Sequence, residues 1–179
     1  MATLAPVTVK SSGICVRPLT NQHCSEIVDL ILPIQQDEFN VAITLEDQPD
    51  LLDIETAYIS QGGNFWGAFD GDYLIGTIAL LKGGEQLAAL RKMFVRQPYR
   101  GKTLGIAGAL LNTLEDYCRQ NGLTELYLST VPQLKAAHRF YERNGFTLVA
   151  MENLPHEFPK MLQDKIFYFA DLSKKSSQS

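Results

Sequence analysis

The sequence predicts an α/β protein, a mixed sheet with helices on its faces. Two observations carry this. Three strand-like runs joined by glycine turns form a meander in mid-chain, and the strongest amphipathic helix follows the last of them after one short loop. Beyond that helix, strand and helix patterns alternate as far as Leu172. With 179 residues, 45% hydrophobic and 20% charged, the chain has the composition of one globular domain with a real core.

Ile14 to Leu19 reads as a first strand. Asn21 to about Leu32 is apolar at Ile27, Leu30 and Ile31, the spacing of a helix that Pro33 should end or bend. Ile34 to Asp47 is ambiguous. A second helix is expected from about Pro49 to Ser60, closed by Gly62-Gly63. Phe65–Phe69 and Tyr73–Leu81 are strands around Asp70-Gly71-Asp72, a hairpin signal because the turn needs positive φ. Gly83-Gly84 turns the chain into a third strand, Gln86 to Val95.

From Leu104 to Asn121, Ile106, Ala107, Leu110, Leu111, Leu114, Tyr117 and Cys118 form one apolar stripe opposite a polar face, and Gly122 stands where a C-terminal cap belongs. Glu125–Ser129 is a short strand. Thr130 with Gln133 resembles a capping box opening a helix that runs to about Asn144. Phe146–Met151 and Lys165–Leu172 are the final strands. Residues 1–12 and 173–179 are expected to be flexible ends, leaving 13–172 as one domain.

The formal net charge is −4, with no basic stripe, which argues against a nucleic-acid binder. No apolar run reaches the roughly 20 residues of a membrane helix, and the start lacks the charged-then-apolar order of a signal peptide. Cys15, Cys24 and Cys118 make no disulfide framework. His23 beside Cys24 has no partner pair at metal-ligand spacing, so no metal is expected. These features together predict a cytoplasmic protein.

The segment that carries chemistry is Met93 to Ile106, a strand leading through Arg100-Gly101-Lys102-Thr103-Leu104-Gly105 into the long helix. A helix N-terminus presents unpaired N–H groups and partial positive charge, and glycines there admit a ligand close to the backbone. Arg100 and Lys102 add charge, so the loop has the makings of an anion cradle. It is neither a Walker A loop nor a dinucleotide fingerprint.

Arg100 to Gly105 resembles the Arg/Gln-x-x-Gly-x-Gly/Ala signature of the GNAT superfamily of N-acetyltransferases. Leu90 to Val95 resembles the strand before it, and Ala136-Ala137-His138-Arg139-Phe140-Tyr141-Glu142-Arg143-Asn144-Gly145-Phe146 resembles the family's second motif. The resemblance implies a mixed, mostly antiparallel central sheet with helices on both faces, its strands splayed where acetyl-coenzyme A enters. It implies that the backbone at Met93, Phe94 and Val95 pairs with the pantetheine arm. The amides from Arg100 through Gly101, Lys102, Thr103, Leu104 and Gly105 would hold the pyrophosphate, with Thr103 standing where the family has a glycine. Tyr141 matches the family's general acid, with the small Ala137 four residues before it on the same helical face. Ala89 stands where some members carry a glutamate base, which leaves Glu85, Glu38 or a water chain for that role.

For the acceptor side, Gln35, Glu38 and Phe39 lie between the first two helices, and Trp66, which with Phe65 follows Gly62-Gly63, has two roles open to it, as a core residue of a strand or as a border of the acceptor pocket. The turn Leu154–Met161 has two roles open to it, as a border of the acceptor pocket or as a contact in a homodimer. His138 reads as a surface or packing residue. The expected function is acetyl transfer from acetyl-coenzyme A to a primary amine of a small molecule or amino-acid-like acceptor, and the acidic balance favours a cationic or zwitterionic one. A non-catalytic acetyl-coenzyme A sensor and a protein lysine or N-terminal acetyltransferase are the alternatives.

Overall fold

The Phe65–Phe69 run is apolar at every position except its central glycine, and alternation along a strand sends successive side chains to opposite faces. A strand of this kind must be covered on both sides. The computed structural model, which describes residues 7–8, 13–158 and 165–173, shows how. Its strands are β1 (Val7–Thr8), β2 (Ile14–Pro18), β3 (Asn64–Asp70), β4 (Tyr73–Lys82), β5 (Leu87–Val95), β6 (Glu125–Thr130), β7 (Thr147–Val149) and β8 (Ile166–Asp171). They form one sheet in the order β1-β2-β3-β4-β5-β6-β8-β7. Every neighbouring pair is antiparallel except β5 with β6.

The α-helices are α1 (Cys24–Pro33), α2 (Ile106–Gln120) and α3 (Lys135–Arg143). Trp66 and Ala68 join Ile75, Ile78, Leu110, Leu114, Tyr141 and Phe146 in the core under α2 and α3. Phe65 and Phe69, one residue out of phase, join Ile27, Leu30, Ile31, Ile54 and Tyr58 in the core under α1. Among the described residues no helix is long and apolar enough to cross a membrane.

Three local expectations are corrected. Pro33 is not one of them: it ends α1, and a wide π-turn, Ile34–Glu38, continues directly, closed by Phe39 N–H donating to the Ile34 carbonyl at 3.1 Å. A proline lacks the N–H that would hold the α geometry, and the wider turn accommodates its absence. The helix expected over Pro49–Ser60 is two short turns, a 3-10 turn at Pro49–Leu52 and a π-turn at Glu55–Ile59. Asp53 separates them: it is extended at φ −154°, and its side chain accepts from Thr56 N–H at 3.1 Å and from Asn21 Nδ2 at 2.9 Å. A short acidic side chain has here outcompeted the helical backbone.

Thr130 caps no helix. Its backbone belongs to β6, opposite Ile166 of β8, and α3 begins only at Lys135 without a side-chain cap. Val7–Thr8, expected within a flexible end, pairs with Val16 and Cys15 at the sheet edge. The rest of both expected ends, residues 1–6, 9–12 and 174–179, lies outside the described residues. So does the stretch 159–164, which includes the second part of the Leu154–Met161 turn.

Gly63 enters β3 against the backbone of β4. A Cβ placed on it would lie 1.9 Å from the Leu80 carbonyl oxygen, which cannot move without breaking the sheet. Gly63→Ala is therefore expected to lower the unfolding free energy by at least about 1–3 kcal/mol, read as an earlier midpoint in urea. An unchanged midpoint would mean that the strand entry is looser than this geometry.

Candidate active site

The site begins at a fault in strand pairing. Between Thr77 and Ala79 of β4, opposite Phe94 and Arg91 of β5, the register shifts, and Lys92 takes φ +53°. Among the described non-glycine residues only Asn40 and Lys92 have positive φ. An extra residue of this kind bends its strand. The parallel ladder of β5 with β6 runs from Leu87–Glu125 to Leu90–Leu128 and no further. Past that point β6 stays with β8, through Ser129–Phe167 and Thr130–Ile166, while β5 stays with β4. The two strands part, and the edge of β5 at Met93, Phe94 and Val95 is left open.

A cleft of about 500 Å³ fills the gap. Met93, Phe94 and Val95 line one side of it, and Ala136, Ala137, Phe140 and Tyr141 of α3 line the other. Arg100, Gly101, Lys102 and Gly105 close one end together with Ala107 and Gly108 in the first turn of α2. Gly101 at φ +111° and Gly105 at φ +64° adopt conformations that favour glycine. Gly105 is the N-cap of α2 and no side chain caps the helix, so the first-turn N–H groups keep their donor capacity. Thr103 is not among the positive-φ residues, so a glycine is not required there. Thr103 and Leu104 do not line the cleft. Leu104 packs on the core instead.

Arg100 is held on three sides. Its Nε donates to the Val95 carbonyl at 2.7 Å, its guanidinium pairs with both oxygens of Glu38, and its charge lies 5.5 Å from the Phe39 ring centre. This clasp ties the turn after α1 to the glycine loop, so Glu38 is committed to Arg100 and lines neither cavity. Phe39 lines the cleft.

A second cavity of about 100 Å³ adjoins the first. The two share Met93, Phe94, Leu134 and Tyr141. Gln35 lines the small cavity. Its amide exchanges two hydrogen bonds with Gln48, at 3.0 and 2.9 Å, and Gln48 also accepts from Lys92 Nζ. Lys92 Nζ lies 3.8 Å from Asp50, which accepts from the Tyr58 hydroxyl at 2.5 Å. Burial first, then the adjacent Asp50, holds the Tyr58 phenol well above its ordinary pKa despite the opposing charge of Arg91.

Tyr141 stands where the two cavities meet. Its ring is buried, stacked edge-on to Phe146 and near Tyr168, and its hydroxyl has no hydrogen-bond partner among the described residues. Burial, with a smaller effect from Tyr168, pushes its pKa well above the ordinary phenol value. His138 does not reach the cavities: its Nε2 lies 3.0 Å from the Val131 carbonyl and its ring packs near Tyr168.

Trp66 is a correction. It is 1% exposed, packs on Tyr117 at 5.3 Å between ring centres, and lines neither cavity, because its position on β3 points it under α2. Ala89 is likewise buried, against Phe158 and Phe167, and Glu85 is exposed at its turn. Among the described residues no aspartate or glutamate lines either cavity, and no group of side chains could hold a metal ion. Sequence reasoning missed Gly108, Arg91, Lys92 and Arg143. Gly108 had a signal, since a glycine inside a good helix needs a reason. The bulge that brings Lys92 to the cavity had none.

A mixed sheet that parts beside a glycine-lined helix N-terminus is the architecture of an acetyltransferase. The model of the Acetyltransferase (GNAT) family matches residues 28–146, and the chain belongs to that family. A GNAT-family acetyltransferase structure from Staphylococcus aureus Mu50 is 36% identical, covers 89% of this chain and 99% of its own, and superposes with a TM-score of 0.86. The N-acetylaspartate synthetase of Xenopus tropicalis is 34% identical over 125 residues, 66% of this chain and 45% of that protein. The chain spans about half the length or less of the curated relatives it matches. The PaiA N-acetyltransferase of Thermoplasma acidophilum, solved with coenzyme A, shares the fold at 19% identity and a TM-score of 0.65, over 88% of this chain and 98% of its own.

Lys92 and Asp50 are well buried, at 6% and 16% side-chain exposure. Removing one member of a buried pair strands the other. Lys92→Met should cost up to about 3 kcal/mol of stability, and Asp50→Asn in the same chain should restore part of it. Chemical denaturation of both single variants and the double variant tests this. Strict additivity would show that the two groups do not interact.

Proposed function

We propose that the chain transfers the acetyl group of acetyl-coenzyme A to a primary amine of a small acceptor by direct attack, with Tyr141 as the general acid. The observation that carries this reading is the meeting of the long cleft and the small cavity at Tyr141, Met93, Phe94 and Leu134. One space suits an extended donor, the other a compact acceptor, and they join at a protonated phenol.

The cleft suits coenzyme A on its own terms. Gly101 and Gly108 have nothing within 4 Å of an added Cβ, so main-chain donors there are open to a phosphate. Lys102, and Arg143 farther along the cleft, add positive charge. The open edge of β5 at Met93–Val95 offers main-chain groups to a pantetheine amide, and Ala136 and Ala137 leave room for it. The bound thioester supplies an activated acetyl group.

The acceptor amine must be neutral to attack, and free amines have pKa values near 10. Among the described residues no carboxylate lines either cavity, and in this reading that proton goes to water. Tyr141 keeps its own proton through neutral pH because its pKa is raised. It is a weaker acid than a thiol near 8.5, so it donates a hydrogen bond to the departing sulfur. It gives up that proton as the carbon–sulfur bond breaks and regains one from the water that has taken the amine's proton. Three free cysteines, two of them buried, suit a reducing compartment such as the cytoplasm.

Acetyl-coenzyme A at about 100 times its dissociation constant should stabilise the protein by roughly 2.7 kcal/mol. Gly108→Asp should leave the fold intact, since an acid suits the first helical turn, while weakening that binding at least about tenfold by repelling phosphate. Calorimetric affinities that are equal for Gly108→Asp and Gly108→Ala would move the pyrophosphate elsewhere.

Tyr141→Phe keeps the ring and its packing but removes the proton. Turnover, followed by coenzyme A release, should fall by about 10²–10⁴-fold with coenzyme A affinity nearly unchanged. Full activity in the folded variant would leave the proton to solvent.

A further inference from the structure

The polar groups behind the small cavity fix the direction of one side chain on its wall. Lys92 Nζ lies 3.8 Å from Asp50 and donates to Gln48 Oε1. An ammonium has donors only, so the oxygen of the Gln48 amide must face it. The nitrogen of that amide then donates to the Thr44 carbonyl at 3.3 Å and to Gln35 Oε1 at 2.9 Å, while Gln48 Oε1 also accepts from Gln35 Nε2 at 3.0 Å. Both donors of Gln48 are engaged, and its oxygen accepts twice. Turning either amide over would set donor against donor, at Lys92 or within the pair.

Gln48 is fully buried and lines neither cavity. Gln35 is also buried, but it lines the small cavity. The exchange with Gln48 uses one of its two Nε2 hydrogens and one of its two Oε1 lone pairs. A neutral amine attacks through its lone pair, so its hydrogens point away from the thioester and need an acceptor. Nitrogen gains positive charge as the carbon–nitrogen bond forms, and an oxygen bonded to one of those hydrogens then binds the transition state more tightly than the free amine. Arginine and lysine side chains offer no acceptor. Among the described residues the side-chain acceptors on this wall are Gln35 Oε1 and the hydroxyls of Ser129, Thr130 and Tyr141. A hydroxyl rotates to suit its neighbours, whereas the Gln35 oxygen is held from behind.

We infer that Gln35 is a catalytic residue, whose Oε1 accepts an N–H of the attacking amine and directs its lone pair at the thioester, with Gln48 as the positioning residue that holds it. This rests on the acetyl-transfer reading and adds the group that receives the amine. The carbon–nitrogen bond forms and the carbon–sulfur bond breaks. One amine hydrogen leaves to water, the one bonded to Gln35 stays as the N–H of the product amide, and Gln35 ends unchanged.

The test starts from a screen of primary amines, spanning amino acids, polyamines, amino sugars and dipeptides, for coenzyme A release from acetyl-coenzyme A. The fastest acceptor is then used on the variants. Gln35→Leu should lower kcat at saturating amine about 10- to 100-fold, with the amine KM changed less and coenzyme A affinity by calorimetry unchanged. Gln35→Glu keeps an accepting oxygen and should retain more of the rate than Gln35→Leu. Gln48→Leu should reproduce part of the loss, and the double variant should be no slower than Gln35→Leu alone. A glutamine that only packs would lower the melting temperature and leave kcat of the folded protein in place. Unchanged kcat in Gln35→Leu, equal losses in Gln35→Leu and Gln35→Glu, or a loss confined to KM would overturn the inference and leave the transfer reading standing. Release from no amine would defeat that reading, and the inference with it. If Gln35→Leu does not fold, Gln35→Met, which keeps the length of the side chain, takes its place. If Gln48→Leu does not fold, the Gln35 variants decide.

Discussion

Everything at this site depends on where one parallel ladder stops. Among the described strands β5 and β6 are the only parallel neighbours, and their pairing ends at Leu90 and Leu128. Beyond it each strand keeps its other partner, so neither loses its place in the sheet and a wedge opens between them. Lys92 supplies the extra residue that bends β5 away, and Thr77 secures the bulge by donating its hydroxyl to the Lys92 carbonyl at 2.7 Å. The wedge exposes main-chain groups in an otherwise filled sheet, which is what an extended ligand with amide groups needs.

The helices determine what the wedge contains. α2 is locked to the sheet by its apolar stripe, which aims its uncapped N-terminus into one end of the gap. α3 lays small residues along the gap and places Tyr141 at its inner end. Arg100 joins the glycine loop to the turn after α1 through Glu38, so the two segments are held to one another. A surface pair of this kind adds little stability. Its effect is to set the relative position of two loops that share no secondary structure.

Charge shows how an average conceals a site. A net charge of −4 describes the whole surface, but among the described residues the small cavity is lined by Arg91, Lys92 and neutral side chains. Total charge bears on solubility and encounter, whereas recognition is decided over a few ångströms by the groups that face the ligand.

The amino-acid sequence alone determined the meander and α2, because each has a local cause, alternation in one and an apolar stripe in the other, and it marked the glycine loop and Tyr141 through their resemblance to family motifs. It also pointed to Gln35 and Phe39 as border residues. Tertiary structure decided the rest. Trp66 and Phe65 are indistinguishable by composition, and only strand register sends Trp66 into the core under α2 rather than toward the α1 side. Thr130 had the local chemistry of a helix cap, but pairing with Ile166 claimed its backbone. The turn at Asp53 depends on Asn21, 32 residues away. The bulge at Lys92 depends on β4, and the pairing of Glu38 with Arg100 spans 62 residues. Interactions across such separations leave no periodicity in the chain, so they became visible only once the strands were placed side by side.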